Sequence, residues 1–88
     1  MSKDEFKVTL VYANTAEEKV EKVPGTMTGA ELLTLAYSKL RKTPQPGDLF
    51  EIHDEQVDPN KTVAQYADEL GKKKKELVFE ITNPTGGA

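Results

Sequence analysis

Cysteine is absent from this chain of 88 residues, which removes disulfides, thiolate metal sites and thiol nucleophiles from consideration. Histidine occurs once, as His53. A single imidazole has no second His or Cys to complete a metal site or a nucleophile–base pair. No apolar run approaches the roughly 20 residues that span a bilayer, and the opening MSKDEFK lacks the apolar core of a signal peptide. A cationic excess is also missing. The formal net charge is −3, whereas general nucleic-acid binding needs a basic face. We expect a soluble, cytoplasmic monomer that is not an enzyme. It should bind no cofactor or metal and have no nucleic-acid or membrane partner.

The run Lys72-Lys73-Lys74-Lys75 is a local exception to the acidic balance. In a chain of this charge it reads as a solvated turn that ends one element and keeps the next soluble, rather than as a phosphate site. Glu51, Asp54, Glu55 and Asp58 form an acidic cluster without calcium-loop spacing, and solvated loop charges account for it. His53 reads as a surface strand residue, and Tyr37 and Tyr66 as core residues with satisfied hydroxyls.

What is present has a clear order. Phe6, Val8, Leu10 and Tyr12 alternate along one face of a strand, and Glu18 to Val23 forms a second, more polar one. The two are close enough in sequence to pair as a hairpin. Thr28-Gly29-Ala30-Glu31 is a capping box, with Met27 and Leu32 placed for a hydrophobic staple. Leu32, Leu33, Ala36, Tyr37 and Leu40 continue at helical spacing, which predicts a helix from Gly29 to Lys42 stopped by Pro44 and Pro46. Asp48 to His53 alternates with Phe50 and Ile52 facing one way. Thr62 to Leu70 reads as a short helical turn, capped by Thr62 and ended by Gly71. Leu77, Phe79 and Ile81 are the inward residues of a last strand. Asn83-Pro84-Thr85-Gly86-Gly87-Ala88 has nothing to bury and reads as a mobile extension. The expected fold is therefore α+β, with a mixed sheet of four to five strands packed on one main helix. Residues 1–82 form the domain and 83–88 the tail.

This order, with the residues at its joints, resembles ubiquitin and its β-grasp relatives. A Thr N-cap opens the helix after the hairpin, and a proline-containing turn follows it. Thr62-Val63-x-x-Tyr66 is similar to the family's Thr-Leu-x-x-Tyr segment, whose Tyr hydroxyl ties a long loop to the backbone. A last strand, a short tail and Gly86-Gly87 complete the likeness, which spans Phe6 to Gly87. Two departures bear on partners. The outward positions Thr9, Val11, Glu51, His53, Val78 and Glu80 include only two aliphatic residues where ubiquitin carries its recognition patch. Thr82, Asn83, Pro84 and Thr85 stand where ubiquitin's tail is basic, so a partner built for a charged tail would reject this one. The resemblance is therefore nearest to bacterial ubiquitin-like modifiers encoded with their own activating enzyme, conjugating enzyme and peptidase.

That resemblance implies a substrate role. A carboxylate is a poor acyl donor, and in this family a partner enzyme adenylates it using ATP. Two glycines suit a narrow channel because neither carries a Cβ. The implied reacting group is the Gly87 carboxylate, preceded by Gly86, once a peptidase has removed Ala88. The tail residues Thr82, Asn83, Pro84 and Thr85 would be read by the partners, and an isopeptide bond to a target protein would result. Two alternatives stand beside the modifier. One is a sulfur carrier using a Gly87 thiocarboxylate, a class that usually ends at Gly-Gly without an extension. The other is a non-conjugated β-grasp interaction module.

Overall fold

The computed structural model describes residues 5–72 and 76–84. Five strands and two helices follow one another as β1 (Glu5–Tyr12), β2 (Glu17–Pro24), α1 (Gly29–Leu40), β3 (Leu49–Ile52), β4 (Glu55–Gln56), α2 (Val63–Lys72) and β5 (Val78–Thr82). The sheet order is β2-β1-β5-β3-β4. β1 pairs antiparallel with β2 and parallel with β5, while β3 pairs antiparallel with β5. The last strand thus lies between the first and the third, and the sheet is mixed.

Alternation places Val8, Leu10 and Tyr12 of β1 and Phe79 and Ile81 of β5 on the buried face, against Leu32, Ala36 and Leu40 of α1 and Val63, Tyr66 and Leu70 of α2. Phe6, Leu77 and Phe50, expected to face inward, are partly buried at the margin of this core. Both helices open with reciprocal caps. Thr28 Oγ1 accepts from the Glu31 amide at 3.2 Å, and Glu31 Oε1 accepts from the Thr28 amide at 3.0 Å. Thr62 and Gln65 repeat the device, with amide-to-side-chain distances of 2.8 and 3.2 Å. The two helix starts also lie together: Gly29 N donates to Lys61 O and Val63 N to Met27 O, each at 2.9 Å. A Cβ on Gly29 would fall 2.3 Å from the Asp58 carbonyl oxygen, so the close approach requires glycine.

Three expectations are corrected. α1 ends at Leu40 rather than Lys42, because Arg41 turns left-handed at φ 58° and its amide bonds back to Ser38 and Tyr37. The prolines follow the stop and do not cause it. α2 is a full ten-residue helix that runs through Gly71 to Lys72. His53 is a turn residue, not a strand residue. With Asp54 it forms a two-residue hairpin connection, at φ 47° and 69°, that leads into β4. Among the described residues no helix is long and apolar enough to cross a membrane.

Candidate functional site: the exit of the last strand

The end of β5 is built by two loops and one helix. In the α1–β3 loop, Gln45-Pro46-Gly47-Asp48 closes a turn in which the Asp48 amide donates to Gln45 O at 3.1 Å. Gly47 takes φ 89°. Proline second and glycine third is the combination a type II turn demands, since the third position needs positive φ. The turn folds the Asp48 carboxylate back toward the chain, where Oδ2 accepts from the Gln45 amide at 3.0 Å and from the Tyr37 hydroxyl of α1 at 2.6 Å.

Asn83, the residue after β5, completes this arrangement. Its side-chain amide donates to Asp48 Oδ1 at 2.8 Å and to Pro46 O at 3.1 Å. Its backbone amide donates to Asn14 Oδ1 of the β1–β2 turn at 3.3 Å. One residue earlier in the ladder, Ala13 N donates to Ile81 O at 2.9 Å. Asn83 is only 5% exposed, and among the described residues it is the only buried polar one. The expected boundary of the tail therefore moves. Asn83 belongs to the domain, Thr82 is the half-buried last residue of β5, and Pro84 is the first exposed residue beyond. Thr85, Gly86, Gly87 and Ala88 lie outside the described residues.

The electrostatics follow from the bonding. Partial burial works against the charged form of Asp48, but donors from Tyr37, Gln45 and Asn83 outweigh it and hold the carboxyl below its usual range. Tyr37 moves the other way. Burial, and then donation to the Asp48 carboxylate, keep its hydroxyl proton bound above the ordinary phenol value. The same end of the molecule is closed by Lys42, which pairs with Glu17 at 2.5 Å and sits 5.0 Å above the Tyr12 ring. Glu17 is lowered by that bond and by one from Thr15. Sequence reasoning singled out Tyr37 as a core residue, took Pro46 only as a helix stop and Asp48 only as the start of a strand, and did not bring these residues together. The Pro-Gly-Asp run was the available signal.

The other candidates are dispersed. No group of three His, Cys, Asp or Glu among the described residues is placed to hold a metal. Asp58 Oδ1 accepts from the Asn60 amide at 2.8 Å, a local turn contact. His53 Nε2 lies 2.7 Å from Glu76 O, pinning the β3–β4 turn to the approach of β5. Lys72 ends α2 near Asp68, and Lys73, Lys74 and Lys75 lie outside the described residues. Tyr66 behaves as the Thr-x-x-x-Tyr resemblance implies: its hydroxyl accepts from the Asp58 amide at 2.8 Å. On the open face of the sheet, Thr9 stands beside Val78 and Val11 beside Glu80, with Glu51 opposite Glu80. His53 leaves that face for the turn. Val20, 55% exposed and paired with Thr9, joins it as a third valine.

No protein-family model matches the chain, and no curated protein matches it. Among solved structures, one described as "Molecular Mimicry of SUMO promotes DNA repair" is similar over 93% of this chain and 92% of its own, with a TM-score of 0.61 and 13% sequence identity. At that identity the likeness is one of fold. The mixed five-stranded sheet on its helices is a ubiquitin-like β-grasp.

Proposed function

We propose that the chain is a ubiquitin-like protein modifier and serves as substrate rather than enzyme. A peptidase cleaves after Gly87 and removes Ala88. The Gly87 carboxylate attacks the α-phosphate of ATP on an activating enzyme, forming the acyl-adenylate and releasing pyrophosphate. A partner thiolate displaces AMP to give a thioester. A target amine then displaces the thiol, leaving an isopeptide bond when that amine is a lysine. The Gly87 carboxylate is the one nucleophile this chain supplies; every other nucleophile and every base in the sequence of steps belongs to a partner or the target.

One observation carries this reading. In a β-grasp body, the central strand β5 is followed by a buried Asn83, Pro84 is exposed, and Thr85-Gly86-Gly87 comes next in the sequence. The non-basic approach Thr82 to Thr85 and the polar open face favour dedicated enzymes, of the kind encoded beside bacterial ubiquitin-like modifiers, over those that read ubiquitin. The fold neighbour's description as a mimic of SUMO supports a role in which other proteins read the β-grasp body.

Intact mass from the chain's own cells tests the proposal. Loss of Ala88 together with covalent adducts on other proteins is the expected result, and deletion of Gly86-Gly87-Ala88 should abolish the adducts. A sulfur-for-oxygen exchange at Gly87 would instead identify a sulfur carrier. An unchanged free chain would overturn both.

A further inference from the structure

We propose that the open face of the sheet is the contact surface of a weak homodimer, in which a twofold axis lays the basic end of each copy over the acidic end of the other. The proposal is independent of the acyl-donor reading and replaces the monomer expected from the sequence. Both helices pack on the opposite face, so none of the described elements covers this one. Its outward positions fall into three rows across the strands. Lys22 of β2 stands opposite Lys7 of β1. Val20, Thr9 and Val78 form the middle row. Glu18, Val11, Glu80 and Glu51 form the third.

Two of these cross-strand pairs join like charges, Lys7 with Lys22 and Glu51 with Glu80, and like charges directly opposite cost stability. No ion pair among the described residues compensates any of the four. Glu18 and Lys22 lie exposed on the edge strand, on either side of Val20, itself 55% exposed. The face thus carries opposite signs at the two ends of a largely apolar row. A partner of one sign would relieve one end and oppose the other. A second copy relieves both, because a twofold along the middle row makes residue i meet j while j meets i. Val20 and Val78 then meet their own counterparts, Glu18 meets Lys22 twice over, and Lys7 arrives above Val11, beside Glu80. Four strands about 4.8 Å apart and three rows of about 6.8 Å make a face of roughly 400 Å² per copy. That is half of the ~800 Å² of a standard interface, which sets the dimer in the weak, transient class.

Sedimentation equilibrium of the full chain at low salt, from about 0.01 to about 2 mM, spans the affinities such an interface supports. A monomer–dimer equilibrium is expected, and added salt should loosen it by screening the rim charges. A chain that stays monomeric throughout overturns the proposal. Charge reversal then tests the orientation. Lys22→Glu and Glu18→Lys should each weaken self-association by roughly tenfold or more, since each reversal acts twice in a twofold dimer. Mixed in equal amounts, the two variants should pair at least as tightly as wild type, because one chain then carries acids at both positions and the other lysines. A mixture that remains monomeric would rule out the twofold arrangement. Val20→Ser should weaken association with little change in the urea midpoint, as its side chain packs on nothing in the buried core; unchanged association would remove the valine row from the contact. Amide chemical shifts followed on dilution should change at residues 7–11, 18–22 and 78–80. Changes that spare β5 would mean pairing through the free edge of β2 and would sink the face-to-face dimer.

Discussion

Asp48 shows how one side chain couples the fold to the exit of its last strand. Its two oxygens accept three bonds, from Tyr37, Gln45 and Asn83, and these lower its pKa although partial burial opposes them. A carboxylate whose folded pKa is depressed contributes stability that is present above its unfolded value, ordinarily 3.8. That contribution is lost as pH falls through the lower folded value. Tyr37 is the mirror case, since its raised pKa contributes stability that is present below about 10 and lost as pH rises beyond it. Asp48→Asn replaces an acceptor with a donor and leaves part of the cluster unpaired. The expected cost is about 1–3 kcal/mol at neutral pH. Urea midpoints measured down the acid range should then converge, because protonation takes from wild type what the substitution has already removed. A difference that stays constant with pH would mean the carboxylate's charge does not hold this corner. Sequence inspection placed Asn83 in the tail and Asp48 in a strand and missed their pairing, because it spans 35 positions and depends on a turn bringing Pro46 and Asp48 together. No local spacing encodes it.

Elements with strong local chemistry were legible, and those made by context were not. The capping box at Thr28 and the alternation in β1 each announce themselves within a few residues. β4 has two residues and no period to read, and its turn uses His53 and Asp54 at positive φ where Asn-Gly would have signalled a hairpin. Arg41 ends α1 in a left-handed conformation that glycine usually supplies, so attention fell on the prolines beyond it. Gly71 misled in the opposite direction, since a helical-phase glycine followed by lysines looks like a stop. Two substitutions separate glycine that is needed from glycine that is not. At Gly71 a Cβ meets nothing within 4 Å, so Gly71→Ala should stabilise by roughly 0.5–1 kcal/mol through reduced backbone entropy in the unfolded chain. Gly29→Ala sets a methyl against the Asp58 carbonyl and should cost about 1–3 kcal/mol. Urea denaturation of the two variants checks both signs. An equal response would mean the start of α1 does not bear on the loop at Asp58.

At the scale of the molecule, the core was the most legible part, because period two and period 3.6 each select the residues that must meet. The Gly86-Gly87 pair proposed as acyl donor is a local motif in the sequence, whereas the hydrogen bonds that hold Asn83 before it have no local signature. Phe79 shows why the core holds the topology together. It is fully buried in the central strand β5. Its ring stacks on Phe50 of β3 at a centroid distance of 5.8 Å and meets the edge of Tyr66 of α2 at the same distance. The ring therefore joins the sheet to the second helix through the strand that leads to Asn83. A domain of this length is expected to be stable by about 4–13 kcal/mol, at roughly 0.05–0.15 kcal/mol per residue. Phe79→Ala should remove about 3–5 kcal/mol, roughly a quarter or more of that total. Because the lost contacts belong to β3, β5 and α2 together, the loss should be global. Circular dichroism and tyrosine fluorescence should shift to the same lower urea midpoint in one transition. A loss below about 1 kcal/mol, or a tyrosine signal that melts before the backbone, would mean that β5 packs separately from α2 and that Phe79 does not unite them.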